Sequence, residues 1–244
     1  MQYKPPGRHR TVADFREHFR GLNPAFDCDE ELLGAAGPLG QPLDLGHRQL
    51  ANRFATQPME GWDASGDGRP TELTLRRWRR FGTSGAKLIW GGEAFAVQAD
   101  GRANPNQLYL NANVDIGGDL ERLVAEVRAG HRERELDAAD LYIGLQLTHS
   151  GRFARPEGPL APRIAYHHPP LEEKYAVDGS ITALTDGELE AIGDNYVLAA
   201  EAAERAGFDF VDVKCCHGYL LHELLGAHRR DGDYGGPFEN RTRL

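Results

Sequence analysis

The 244-residue chain predicts an α/β fold of the TIM (β/α)8-barrel type, carrying the first four βα units behind an irregular N-terminal extension. Three observations predict it. Short apolar strand candidates alternate with amphipathic helix candidates, the pattern of a parallel sheet covered by helices. Lys214, Cys215, Cys216, His217 and Tyr219 crowd the end of the last strand candidate, and strand C-termini are where parallel α/β folds gather their chemistry. No strand-linked GxGxxG opens a helix, so a Rossmann dinucleotide site is not supported. Four βα units make half a barrel, since closure takes eight strands.

Residues 1–44 read as the extension, helical over Val12–Arg20 and broken elsewhere by Gly and Pro, packing onto the main fold. Residues 45–244 read as the N-terminal half of the barrel. Arg53–Met59 (RFATQPM) is the first strand candidate, stopped by Pro58, which has no N–H for a ladder. Thr71–Arg80 reads as a helix offering Leu73, Leu75 and Trp78 to a core, with Gly82 breaking it. Lys87–Trp90 is the second strand, running into Gly91-Gly92 and then a polar loop over Gln98–Asn113. Asp119–Leu136 sets Leu120, Leu123, Val124 and Val127 at helical spacing. Leu141–Leu147 is the third strand. Thr148–Ala183 follows as a proline-rich excursion with a turn at His167-His168-Pro169-Pro170, and a loop this long carries function or forms a lid. Thr185-Asp186-Gly187-Glu188 is a capping box opening a helix that buries Leu189, Ile192, Tyr196 and Ala203 and stops at Gly207. Phe208–Val213 is the fourth strand, and a last helix starts near Glu239.

A net charge of −9 argues against a nucleic-acid or anionic-membrane partner, which needs clustered positive charge. The basic runs Arg76–Arg80 and Arg132–Arg134 read as solvated helix faces. No apolar run approaches the ~20 residues of a membrane span, and the N-terminus shows no apolar signal core. Cys28, Cys215 and Cys216 form no disulfide framework, so the chain reads as reduced and cytoplasmic. No Cys/His spacing suits zinc or an iron–sulfur cluster, and no metal is expected.

Four segments, in order along the chain, resemble the old yellow enzyme family of flavin-dependent ene-reductases: LANRFATQPMEGW (50–62), KLIWGGEAFAVQADGR (87–102), LQLTHSGR (145–152) and HGYLLHELL…RRDGDYGGPFENR (217–241). The resemblance implies FMN as cofactor and NAD(P)H as reductant, with a hydride passed to an activated alkene or a similar electron-poor small molecule. It also implies roles for single residues. Gln146 holds the flavin pyrimidine edge, a task its amide suits because it carries both a donor and an acceptor; its bland alternative is a core amide bonded to backbone. Pro58, Met59 and Glu60 border the ring, as do Gly92 and Ala94, whose small size permits close approach. Family members commonly carry Thr or Cys where Glu60 stands, and a carboxylate there would disfavour a reduced anionic flavin. Lys214 and His217 bind the substrate oxygen and Tyr219 supplies the proton. Lys214 departs from the family's histidine and offers a flexible point charge in its place. His149 and the His167-His168 pair read as loop-shaping, and Glu239-Asn240-Arg241 as structural capping.

The resemblance further places the flavin phosphate on loops after strands seven and eight and a ring-contacting arginine on strand five. This sequence lacks those segments, so it is expected to be a fragment, or half of a barrel completed by a homo-oligomer or by another chain, and to retain FMN weakly by itself. Two other readings stand beside the oxidoreductase: a truncated, non-catalytic half-barrel with open sheet edges, and a Schiff-base lyase using Lys214 as nucleophile.

Overall fold

The computed structural model describes residues 4–244, so the first three residues of the predicted extension lie outside the described residues. The chain divides into two compact units, one ending at Gln41 and one running from Pro42 to Leu244. In the first, helix α1 (Val12–Arg20) is capped by the Thr11 hydroxyl, which accepts from the Asp14 amide. Phe15, Phe19 and Phe26 stack against one another beside His9.

The second unit holds the sheet. A two-stranded antiparallel ribbon, β1 (Leu43–Asp44) and β2 (Gln49–Leu50), precedes it. Strand β3 (Ala55–Thr56) is shorter than the predicted Arg53–Met59. It has a single neighbour, and Gln57-Pro58 leaves the ladder at once. Helix α2 (Glu72–Thr83) carries a capping box between Thr71 and Thr74. It does not break at Gly82. A Cβ there would stand 2.1 Å from the Val127 carbonyl oxygen, so Gly82 is the place where helix α3 (Ile116–Glu133) closes on α2. Gly130 of α3 does the same against Arg79. Leu73 points outward, while Thr74, Leu75, Trp78 and Phe81 are buried.

The second strand is two pieces, β4 (Leu88–Ile89) and β5 (Ala94–Ala96), and both pair in parallel with β6 (Tyr142–Thr148). Ile89 faces Ile143 and Ala94 faces Gln146, so the segment between the pieces contains more residues than its partner and bulges out of the ladder. The proline-rich excursion after β6 includes helix α4 (Pro169–Tyr175). His168 is therefore the N-cap of a helix and not part of a turn: its Nδ1 accepts from the Leu171 amide, and Pro169-Pro170 occupy the first helical positions, where no N–H is missed. Helix α5 (Asp186–Arg205) starts on the Thr185–Glu188 capping box and buries Leu189, Ile192, Tyr196 and Ala203; Gly207, at φ 86°, turns the chain after it. Strand β7 (Phe210–Val213) pairs with β6, placing Asp212 opposite Gln146. Two short helices end the chain, α6 (Leu220–Leu225), which the sequence pattern did not announce, and α7 (Phe238–Arg241).

All pairings within the five-stranded sheet are parallel, in the spatial order β3, β4/β5, β6, β7. Ile143, Leu145 and Leu147 of β6 are fully buried in the core with Trp78, Leu123, Val127 and Ala203. The alternate residues Tyr142, Gly144 and Gln146 turn to the other face, as the pleat requires. There Tyr142, Trp90 and Phe210 stack, and an added Cβ on Gly144 would sit 2.4 Å from the Phe210 ring. Among the described residues no helix is long and apolar enough to cross a membrane.

Candidate active site

The segments that follow β3 and β7, the first residue of β5 and the C-terminal half of β6 surround a cavity of about 400 Å³. Its walls come from Gln57, Pro58, Glu60, Ala94, Gln146, Lys214, Cys216 and His217. The bulge between β4 and β5 shapes one side. Gly91 has φ 80°, and a Cβ on it would lie 2.9 Å from both the Gln146 Cβ and the Pro58 Cγ. Only glycine meets both demands.

The polar wall is a closed set. Lys214 Nζ donates to Glu60 Oε1 at 2.6 Å. The Tyr219 hydroxyl donates to the same carboxylate, 2.8 Å from Oε1 and 3.0 Å from Oε2. The Lys214 ammonium also stands 4.3 Å from the centre of the Tyr219 ring. Lys214 and Tyr219 are buried. Burial first, then the Glu60 charge and hydrogen bond, push the Tyr219 phenol well above its ordinary pKa. His217 takes a left-handed backbone, φ 59°, which turns the chain off β7 and sets its ring 6.1 Å from that of Tyr219. A non-glycine residue in that region is strained, and such strain concentrates at functional sites.

Most of the expected residues thus converge: Pro58, Glu60, Ala94, Gln146, Lys214 and His217 line one cavity, and Tyr219 joins them through Glu60. Two do not. Gly92 faces the core, where a Cβ would strike the Trp78 ring at 2.6 Å. Gly91 holds the cavity-side position instead. The Met59 side chain is exposed, and what Met59 contributes is its carbonyl, which accepts from the Ala94 amide at 3.2 Å. Glu60 is neither a solvent-facing loop residue nor a bare negative charge, because Lys214 sits on it. His149 and His167 shape loops: His149 Nδ1 accepts from the Gly151 amide, and His167 contacts Glu172 at 3.2 Å.

Sequence reading missed two parts. Asp212 accepts from Gln146 Nε2 at 2.6 Å and so fixes which way the amide faces. The signal was its register, two residues before Lys214 on the same face of the strand. The second part is Arg77. Within the basic run read as solvated, Arg77 turns inward to Asp63 at 2.8 Å and to the fully buried Glu93, so it ties the loop after β3 to the bulge before β5. Its spacing from the buried Thr74 and Phe81 placed it on the inner face of α2. Arg77 is held firmly charged, while burial raises the Glu93 carboxyl to about 7 despite the neighbouring guanidinium.

Residues 38–244 match the family model for the NADH:flavin oxidoreductase / NADH oxidase family. The chain belongs to that family. Among curated relatives, an NADH:flavin oxidoreductase from Gibberella zeae is 30% identical over 224 residues, covering 83% of this chain and 50% of its own length. The NADPH dehydrogenase of Bacillus subtilis is 30% identical over 216 residues, covering 86% of this chain and 58% of its own. Among solved structures, the old yellow enzyme from Pichia sp. superposes with a TM-score of 0.67 at 27% identity over 86% of this chain and 54% of that one. Morphinone reductase gives 0.62 at 27% identity over 85% and 57%. The chain spans about half the length of the curated relatives it matches. The parallel sheet is thus of the TIM-barrel type.

Proposed function

We propose that the cavity is the ring-facing part of an FMN site in a flavin-dependent NAD(P)H oxidoreductase whose substrates are electron-poor small molecules such as activated alkenes. The observation that carries this reading is the convergence of Gln146, Glu60, Lys214 and His217 on one cavity at the ends of consecutive parallel strands. The residues fit the cofactor. Gln146 Nε2 is engaged by Asp212, which leaves its Oε1 as an acceptor for an imide N–H, and the small Ala94 side chain in the cavity lining leaves room for a flat ring. FMN, when bound, supplies hydride chemistry between NAD(P)H and the substrate.

The chain's own groups handle the substrate oxygen and the proton. Lys214 Nζ keeps N–H donors beyond the one given to Glu60, and His217 borders the same space. Together they would hold a carbonyl or nitro oxygen. Tyr219 keeps its proton on Oη at neutral pH because burial and Glu60 oppose its ionisation. Its one proton is donated to Glu60 here, and in the reaction it would turn to a carbon that is gaining an electron pair. Replacing Tyr219 by Phe is expected to leave flavin reduction by NAD(P)H intact and to slow substrate reduction by about 10²–10⁴-fold. Rapid-mixing absorbance of the two half-reactions, in a full-length flavoprotein carrying this segment, reads both. Equal slowing of both halves would remove Tyr219 from the proton role. His217→Ala should instead raise the substrate KM.

The domain reading follows from the same argument: residues 45–244 as the N-terminal half of an FMN-binding barrel, preceded by an extension over residues 1–44. A second reading has its own observation. Helix α5 and β7 present a groove of about 380 Å³ in which the exposed Val197 stands with Ala200, Phe208 and Phe210. This edge suits further βα units, from a longer chain or a second one. The Schiff-base lyase is disfavoured by the Glu60–Lys214 ion pair, because a nucleophilic amine needs a free lone pair. The free thiols Cys28, Cys215 and Cys216 support a reducing, cytoplasmic setting.

A further inference from the structure

We propose that Glu60 is the specificity-determining residue of the cavity: by pairing with Lys214 it makes the site accept uncharged carbonyl compounds and reject carboxylates. The inference deepens the oxidoreductase reading and rests on it for the role of the cavity. A buried lysine in a cavity wall is ordinarily an anion trap, since an ammonium withdrawn from water attracts any carboxylate within reach. Here that attraction is already satisfied. Glu60 Oε1 lies 2.6 Å from Lys214 Nζ, and the Tyr219 hydroxyl holds the same carboxylate by both oxygens. A second carboxylate, Asp212, is held next to the cavity by Gln146 at 2.6 Å.

The wall therefore sets Glu60 directly against the one ammonium, with Asp212 behind Gln146 as a second carboxylate nearby. Lys214 has lost its net positive field but not its hydrogen-bonding capacity. Glu60 is its one side-chain acceptor among the described residues, so N–H groups remain to meet an occupant. A neutral carbonyl oxygen takes such a donor at no electrostatic cost. A carboxylate in the same position faces the Glu60 charge at short range, and like charges brought together in a cavity wall weaken binding. The discrimination comes from a repulsive element, not from an added attraction.

The test is calorimetric titration of the purified chain with benzamide and with benzoate, two probes of one shape and different charge. The wild type is expected to bind benzamide about tenfold more tightly, or better. Glu60→Gln keeps an acceptor for Lys214 and Tyr219 while removing the charge. It should raise the affinity for benzoate relative to benzamide about tenfold. Glu60→Thr should move benzoate in the same direction. A wild type that binds benzoate as well as benzamide, or binds neither, overturns the assignment. So does an unchanged probe ratio in variants whose circular dichroism matches the wild type. Quenching of flavin fluorescence separates the two layers of the argument. The predicted probe preference without FMN binding sinks the oxidoreductase reading alone, and FMN binding without the preference sinks the role of Glu60 alone.

Discussion

At the end of β6, His149 is almost wholly buried, with Nδ1 taken by the Gly151 amide and Nε2 lying 3.3 Å from Gln98. Burial depresses its pKa to about 4; Asp100 acts against that shift and Arg163 with it. The unfolded chain binds a proton on this imidazole near pH 6.5, while the folded chain refuses it until about pH 4. Stability from His149 is thus fully present above pH 6.5 and is lost as pH falls toward 4, by on the order of 3 kcal/mol in all. Urea unfolding across that range should show the decline, and His149→Gln should flatten it. An identical pH slope in the variant would assign the decline to other groups. His149 also shows what one-dimensional reading can and cannot do with a polar residue. Its place directly after a strand was visible, whereas its burial depends on Gly101 and Gln98, about fifty residues away in sequence.

Helices and strands were legible where their causes are local. The Thr185 capping box and the 3.6-residue rows of α3 and α5 depend on neighbours within one or two turns, so those helices stand close to where the pattern put them. The errors came where two elements meet. Gly82 looks like a helix breaker in the sequence, yet in the fold it is a contact point: α2 and α3 close until the Val127 carbonyl occupies the space a Cβ would need. Gly82→Ala, although a better helix former, is expected to destabilise the chain by about 1–3 kcal/mol through overpacking. Denaturant titration measures this, and a stabilised variant would show that the two helices can separate without cost. The bulge before Ala94 escaped for the same reason, because its register is set by β6, its Glu93 carboxylate is held by Arg77, and the Trp78 ring leaves no room for a Cβ at Gly92.

On the scale of the whole molecule, the cavity wall carries one lysine, already paired with Glu60, and no other Lys or Arg. A phosphate group finds little here to hold it, so the isoalloxazine ring should supply nearly all the affinity of this chain for a flavin. FMN and the phosphate-free lumiflavin are therefore expected to bind within about twofold of one another, and weakly. Fluorescence titration with both compounds checks this. FMN binding tenfold or more tighter would reveal a phosphate site within these residues. The groove along α5 and β7 is the face proposed above to receive further βα units, and such units would bury Val197.

The sequence by itself determined the parallel α/β plan, the resemblance carried by four ordered segments, and the placement of Gln146, Lys214, His217 and Tyr219 at strand ends. Hydrophobic period, capping and strand-end position act over a few residues and can be read in one dimension. Only the tertiary structure decided that Glu60 belongs with Lys214 and Tyr219, that Asp212 orients Gln146, and that Gly91 rather than Gly92 faces the cavity. Those facts are distances between groups as many as 159 positions apart along the chain. Charge pairing and close packing depend on separation in space, which no local pattern encodes.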